Sequence, residues 1–341
     1  MRMRRLASLP GLVLLILALT GCSDGGRTGD ADTLVVYSAG PRPLAEGITE
    51  EFTAREDVRV ELFAATTGQV MARLEAERYR PRADVVIFAS RVAAEALKVD
   101  GRLLPYPSPD WLEETHLDWH DPDQFYFATS AAIVGMAFHA DAHHPSADWK
   151  PLFNGEIPGR FTMPSPSRSG AAGDFLVAYA LVNGDAAFAD FARARRQGLD
   201  FAAANSQAIS TLLVGAFQGM VGAVDYLIFR QIADGAPLVM HYPDGGSALV
   251  ERPIVILDNT PVPDLARSFV DFYFSADAQQ IVAEMHLLPA RTDTAVSEVR
   301  ANTELPALLE VDVSDALEHQ DRILRRFQIE IERAEVLRGD P

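Results

Sequence analysis

The chain has 341 residues, 48% of them hydrophobic, with 30 Lys and Arg against 48 Asp and Glu for a formal net charge of −18, and a single cysteine. A hydrophobic share near the globular average rules out global disorder, and the length suggests roughly two domains on a prior of ~150 residues each. An acidic chain without a basic run argues against a nucleic-acid partner, and one thiol cannot make an internal disulfide or a multi-thiolate metal site.

Arg2, Arg4 and Arg5 precede the apolar run Leu12 to Leu19. That run is too short for a permanent membrane helix but suits the hydrophobic region of a signal peptide. It ends in Leu19-Thr20-Gly21-Cys22, which resembles the bacterial lipobox. The expectation is a signal peptide over 1–21, lipid attachment at Cys22 and a flexible Gly/Asp/Ser tether over 22–32. Removing the three N-terminal arginines takes the charge from −18 to −21. No later run approaches the 18 or more apolar residues of a membrane span, so the expected mature protein is exported and held to the membrane by its lipid alone.

Leu34 to Tyr37 reads as a short strand, broken by Ser38 to Pro43 before a helix over Leu44 to Ala54. Val58 to Phe63 alternates as a second strand, after which Thr66-Thr67-Gly68 opens a helix carrying Val70, Met71 and Leu74. Asp84 to Phe88 is a third strand, and Ser90 starts the next helix. This alternation predicts a parallel sheet covered on both faces, with ligands beyond the carboxyl ends of the strands. Ser38, Thr66, Thr67, Gly68 and Ser90 stand at those ends, where helix N-termini favour an anion. The competing reading is that they are only helix N-caps, which use the same residue types.

Phe125 to Phe138 is a long β-rich run suited to crossing between lobes. The strand-like Phe161 to Pro164 leads through Ser165-Pro166-Ser167-Arg168-Ser169-Gly170 into a helix over Ala171 to Val182, repeating the anion-receptive geometry. Arg168 adds a guanidinium fork suited to carboxylate or phosphate, or is a solvated surface residue. Asn205-Ser206 reads as another helix cap, and Met220 to Val224 as a strand ending at Asp225-Tyr226. Those two residues fit either a cap and a core aromatic or a cleft role. Returns through Pro237 to Pro243 and Pro253 to Leu257 complete an α/β clam-shell with hinge crossovers. Its first lobe is 33–127 plus 245–295, its second 128–244, and a C-terminal helical segment covers 296–341.

The stretches LVVYSAG, TTGQVMARLEAE with ADVVIFAS, MPSPSRSGAAGDF, MVGAVDYLIFR, YPDGGSALVERPIVIL, FVDFYFSADAQQIVAE and LLPARTDT occur in order from Leu34 to Thr294. Together they resemble the extracellular solute-binding proteins of ABC importers, in the branch that holds ferric-iron, aminoethylphosphonate and hexose-phosphate binders. The resemblance implies a type II periplasmic-binding fold whose lobes close on a small solute and deliver it to permease transmembrane subunits. Ferric binders use two adjacent tyrosines where this chain has Tyr226-Leu227, so one phenolate is retained and one lost. The organophosphorus branch uses hydroxyls and helix N-termini, which Ser38, Thr66, Thr67, Ser90, Ser167 and Ser169 supply, with Asp225 meeting an amino or sugar hydroxyl group.

His116 and His120 are four apart, with His139, His143 and His144 nearby, but Pro and Asp breakers make their surroundings a loop of solvated histidines rather than a metal site. No catalytic residue, metal or cofactor is assigned, and GxSxG, GxxxxGK[ST] and GxGxxG motifs are absent. The expected function is capture of a small anionic solute, a phosphonate or phosphate ester, by a monomeric receptor. Ferric iron with Tyr226 as ligand, an exported Ser hydrolase and a structural lipoprotein are the alternatives. The tail, Asp315 to Leu337, reads as one amphipathic helix with Asp315 and Glu318 in a capping box and Leu317, Leu324, Phe327, Ile331 and Ala334 on one face.

Overall fold

The computed structural model describes residues 32–142 and 148–333. The signal peptide, Cys22, the tether up to Ala31, His143, His144 and the end of the tail from 334 lie outside them. In the first lobe, β1 (Thr33–Ser38), α1 (Arg42–Glu56), β2 (Arg59–Ala64), α2 (Thr67–Ala76), β3 (Val85–Ile87) and α3 (Arg91–Val99) alternate as the sequence suggests. The two-residue β4 (Leu103–Leu104) precedes the 14-residue β5 (Tyr126–His139). The second lobe contains α4 (Trp149–Asn154), β6 (Phe161–Pro164), α5 (Gly170–Asn183), α6 (Asp185–Arg196), β7 (Asp200–Ala202), α7 (Asn205–Leu213), β8 (Gly219–Val224), α8 (Asp225–Ala233) and β9 (Leu238–His241). The chain returns through β10 (Ala248–Leu257) to α9 (Pro263–Tyr273), α10 (Ala276–Glu284) and β11 (Leu288–Pro289). It ends in α11 (Glu298–Ala301), α12 (Val313–Phe327) and a π-helical turn at Gln328–Glu332.

The sheet order is β2-β1-β3-β10-β5-β8-β6-β7, with β4 on β10 and with β9 and β11 on β5. The expectation of a purely parallel sheet is corrected. The β2-β1-β3 and β8-β6-β7 groups are parallel, but β10 and β5 join them through antiparallel pairing. The reason is topological, because a strand that leaves one lobe and a strand that returns must run in opposite directions. The crossings through β5 and β10 are continuous β-structure, and a third, through 290–297, leads from β11 to α11 on the second lobe. The return crossing is β10 alone, while β9, within the run expected to share it, stays paired with β5 in the second lobe.

The register of β5 on β10 breaks once at mid-length. Glu251 faces Ala131 and Pro253 faces Ala128, so two residues of β5, Thr129 and Ser130, stand opposite Arg252. Such a bulge bends the strand and re-aims a side chain, and proline is tolerated there because no ladder donor is needed. A second irregularity lies between β5 and β8, where Gly222 adopts φ +67°, a left-handed conformation that favours glycine.

Each lobe has its own aromatic packing. Phe52 of α1 meets Phe269 and Phe272 of α9 at centroid distances of 5.0 and 5.5 Å. In the second lobe Trp149, Phe175, Tyr179 and Phe191 form a buried group that Phe327 of α12 joins, 5.1 Å from Phe191. The tail helix thus packs on the second lobe, and it also packs against α3 of the first. Its cap is Asp312, whose carboxylate accepts from the Ser314 and Asp315 amides, and the α-helix gives way to the π turn after Phe327. The capping box expected at Asp315 is therefore displaced by three residues.

The histidine expectation is also corrected in part. His120 is buried, bonded to Thr115 Oγ1 at 2.7 Å and accepting from the Ala128 amide at 3.1 Å. Burial, with Arg91 adding to it, lowers its pKa to about 4, so it is a neutral core histidine. His116 stacks on Trp119 with centroids 4.3 Å apart. Among the described residues no group of His, Cys, Asp and Glu is arranged to hold a metal ion.

One buried ion pair ties α11 to α8. Arg300 Nη2 donates to Asp225 Oδ2 at 2.9 Å, and Nε and Nη2 also donate to the His286 carbonyl at 2.9 and 2.8 Å. Removing one partner of a buried pair leaves the other charge uncompensated. Arg300→Ala is expected to cost roughly 3–5 kcal/mol in urea unfolding, far more than a surface substitution. A loss below about 1 kcal/mol would show that Asp225 is neutral without it.

Candidate functional site

Strand carboxyl ends from both lobes converge on a cleft of about 320 Å³. The first lobe contributes Ala39-Gly40-Pro41 after β1, Ala65-Thr66-Thr67 after β2 and Ala89 after β3. Facing them are Arg168 to Ala171 at the start of α5, Ala203-Ala204-Asn205 at the start of α7, and Val224 and Tyr226 at the start of α8. Arg252 enters from the crossover strand β10. Small side chains at most of these positions leave the helix N-termini, with their free N–H groups, close to the cleft space. The two sides approach closely, since a Cβ on Gly170 would stand 3.7 Å from the Ala89 carbonyl and 3.8 Å from Thr67 Oγ1.

Two of the hydroxyls, Ser169 and Thr67, are placed to donate, while that of Thr66 donates to Gln69 Oε1 at 3.2 Å. Ser169 Oγ accepts from the Ala172 amide at 3.4 Å and from Asn205 Nδ2 at 3.2 Å, which occupies both its lone pairs and leaves its proton free. Thr67 Oγ1 accepts one bond, from the Ala89 amide at 3.2 Å, which leaves its proton and one lone pair open. Thr66 is an N-cap in a full capping box with Gln69, so its cap role and its place at the cleft coincide.

Arg252 is the strongest feature of the cleft and was not singled out from the sequence. It is only 4% exposed, its Nε has no hydrogen-bond partner, and its guanidinium lies 5.1 Å from the Tyr226 ring centroid. Among the described residues no carboxylate is within ion-pair distance of Arg252 or Arg168, and neither Asp nor Glu lines the cleft. Asn205 Oδ1 is likewise buried without a partner. The available signal for Arg252 was the pair Glu251-Arg252 interrupting an apolar β-run just before Pro253.

Of the residues expected at the site, Thr66, Thr67, Arg168, Ser169, Gly170 and Tyr226 are brought together. The others are placed elsewhere, each for a local reason. Ser38 is buried and accepts from the Gly40 amide at 3.1 Å, closing the turn after β1. Gly68 is exposed on the first turn of α2, away from the lining. Ser90 donates to Asp174 Oδ1 of α5 at 3.0 Å. Ser167 donates to Glu332 Oε2 of the π turn at 2.7 Å. Asp225 has no exposed surface and is taken up by Arg300, by Tyr242 Oη donating at 2.9 Å and by the Tyr226 amide at 2.6 Å, so it meets no solute. Burial pushes its carboxyl up, and Arg300 opposes that first among its neighbours. Leu227 is half-buried and packs against the apolar core, and it does not line the cleft. No histidine lines the cleft beside Ser169.

An unpaired buried cation is unfavourable in the empty protein. Arg252→Leu is therefore expected to stabilise the ligand-free chain by about 1–3 kcal/mol in denaturant unfolding. Destabilisation instead would mean that Arg252 has a structural role.

Residues 33–287 match the family described as bacterial extracellular solute-binding protein. A probable ABC transporter periplasmic-binding protein of Sinorhizobium fredii is 25% identical over 323 residues, covering 88% of this chain and 87% of its own. The ferric binding protein of Campylobacter jejuni superposes with a TM-score of 0.77 at 19% identity, covering 87% of this chain and 99% of its own. The periplasmic binding protein AfuA of Actinobacillus pleuropneumoniae, with fructose-6-phosphate bound, gives 0.75 at 21% identity, covering 89% and 99%. These likenesses establish the type II periplasmic-binding fold.

Proposed function

The chain belongs to the bacterial extracellular solute-binding proteins, as a solute-binding protein of an ABC transporter, and on that premise we propose that its solute is a small oxyanion, a phosphonate or phosphate ester. The observation that carries this reading is Arg252, buried at the cleft without a carboxylate partner. An oxyanion there receives charge-assisted bonds from Arg252 and Arg168, hydroxyl protons from Thr67 and Ser169, and amides from several helix starts. The net charge of −18 does not oppose this, because surface charges beyond a Debye length of ~8 Å are screened.

Tyr226 is the feature that favours ferric iron, as in the name of the Campylobacter protein. Against it stands Arg252 over the same ring, a fixed cation beside the phenol that a second cation would have to approach. In this reading the lobes are 33–127 with 245–295 and 128–244, they close on the solute as a monomer, and the complex is delivered to permease subunits.

Calorimetry with methylphosphonate, 2-aminoethylphosphonate and glucose-6-phosphate tests the choice against ferric citrate. At least one phosphorus compound is expected to bind. Arg252→Gln should weaken it by about tenfold or more, while Ser167→Ala leaves it unchanged, given ~1.5–3 kcal/mol for a hydrogen bond to a charged group. A visible phenolate-to-iron band with ferric citrate, and no heat from any phosphorus compound, would overturn the reading.

Export is implied by the family, and no helix among the described residues is long and apolar enough to cross a membrane. Attachment through a lipid on Cys22, facing the periplasm or cell exterior, is part of the proposal. Cys22→Ser is expected to move the protein from the membrane to the soluble fraction with solute affinity unchanged. Continued membrane fractionation would place the attachment elsewhere.

A further inference from the structure

The turn Ser165-Pro166-Ser167-Arg168-Ser169 carries two of the cleft's donors and is held from outside the cleft. Its backbone closes on itself, with the Arg168 and Ser169 amides donating to the Ser165 carbonyl at 3.0 and 2.9 Å. Its first two serines turn the other way, to the tail. Glu332 Oε1 accepts from Ser165 Oγ at 2.8 Å and from the Ser167 amide at 3.4 Å, and Oε2 accepts from Ser167 Oγ at 2.7 Å. Among the described residues no Lys, Arg or His comes within ion-pair distance of Glu332. Glu332 is itself fixed, because Phe327 and Ile331 just before it are buried, Phe327 lying 5.1 Å from Phe191 and 5.6 Å from Phe201. The Arg333 amide donates to the Gln328 carbonyl at 3.0 Å, the bond of a π turn, which spans one residue more than an α-helical bond and recurs at functional sites. The turn, α5 and α12 also approach closely, since a Cβ on Gly173 would stand 3.0 Å from the Pro166 carbonyl and 3.6 Å from Leu324 Cδ2. Glu332 does not line the cleft, and it lies beyond the 33–287 family match.

On the reading that an oxyanion is met by Arg168 and Ser169, we propose that Glu332 is a positioning residue of the cleft, clamping the 165–169 turn so that both donors are presented to the solute in one geometry. An exposed arginine on a loop gives up backbone and side-chain freedom when it grips an anion, and that cost is subtracted from affinity. Holding the turn beforehand removes the backbone part of the cost. A carboxylate suits the task because hydrogen bonds to it are stronger than those between neutral groups. Ser167 is the exposed member of the clamp. Without its hydroxyl, Ser165 Oγ and the Ser167 amide still hold Oε1, so Ser167→Ala keeps the turn in place, whereas Glu332→Ala removes all three bonds.

Hydrogen exchange of the ligand-free full chain reads the clamp without any solute. Glu332→Ala is expected to speed exchange of the Arg168 and Ser169 amides about tenfold, while the Gln69 and Val70 amides of α2 stay unchanged. Glu332→Gln, which keeps an acceptor for Ser165 Oγ, should restore slow exchange. Calorimetry with methylphosphonate, 2-aminoethylphosphonate and glucose-6-phosphate reads the consequence for binding. For a compound that binds, Glu332→Ala should weaken it about fivefold, and Glu332→Gln should not. In an Arg168→Ala background the loss from Glu332→Ala should shrink, because the two residues act through one turn. Unchanged exchange in Glu332→Ala, a Glu332→Gln variant as impaired as Glu332→Ala, or a loss of full size in the Arg168→Ala background would each overturn the clamp. Accelerated exchange with no heat from any of the three compounds would overturn the oxyanion reading and leave the clamp standing.

Discussion

The antiparallel pairing of β5 with β10 is the constraint from which the rest of this structure follows. Ten residues of β10 and fourteen of β5 run as unbroken strands through the boundary between lobes, so each lobe's parallel strands hang on opposite edges of one shared pair. The pairing needs small, buried residues at its centre, and β5 supplies Ala128, Ala131 and Ala132. Two of the three connections between the lobes are these paired strands, the third being the 290–297 segment between β11 and α11, so the strand ends on either side face one another across the line of the pair. The cleft forms along that line.

The break in register opposite Arg252 joins this architecture to the chemistry. Successive residues of a strand point to opposite faces, so Glu251 and Arg252 serve different spaces although they are neighbours in sequence. Glu251 turns toward α3 and pairs with Arg91, while Arg252 turns into the cleft and lies over Tyr226, with no carboxylate among the described residues within ion-pair distance of it. Had the two side chains shared a face they would have paired, and the cleft would have lost its buried positive charge. A chain with 48 acidic residues thus presents a cleft whose charged lining is two arginines. Local arrangement outweighs net charge there because screening shortens the reach of the surface carboxylates while the buried groups act at contact distance.

Much of this was legible in the sequence, and the parts that were share a physical basis. The units from Thr33 to Val99 are local. Apolar runs of four to six residues, broken by Gly, Pro and hydroxyl residues before helical periodicity, specify strands, turns and helices whatever lies around them. The run from Phe125 to Phe138 was legible as a crossing because it is too long for one lobe's strand. The hydroxyls at Thr66, Thr67 and Ser169 were legible because strand ends in such sheets converge by topology.

What the sequence by itself determined was therefore the kind of fold, the order of its elements and the edge of the sheet at which a solute would be met, since these depend on spacing along the chain. Only the tertiary structure decided which polar residues are free to meet it. Ser38, Ser90, Ser167 and Asp225 resemble Thr67 and Ser169 in type and position, but they are engaged by Gly40, Asp174, Glu332 and Arg300, partners between 2 and 165 residues away. Arg252, looking like one more charged residue in a strand, is left unpaired by the same packing. Hydrogen bonds and ion pairs are short-range, so whether a donor is spent or available depends on which distant residue comes within about 3 Å of it, a matter settled by the packing of the whole chain.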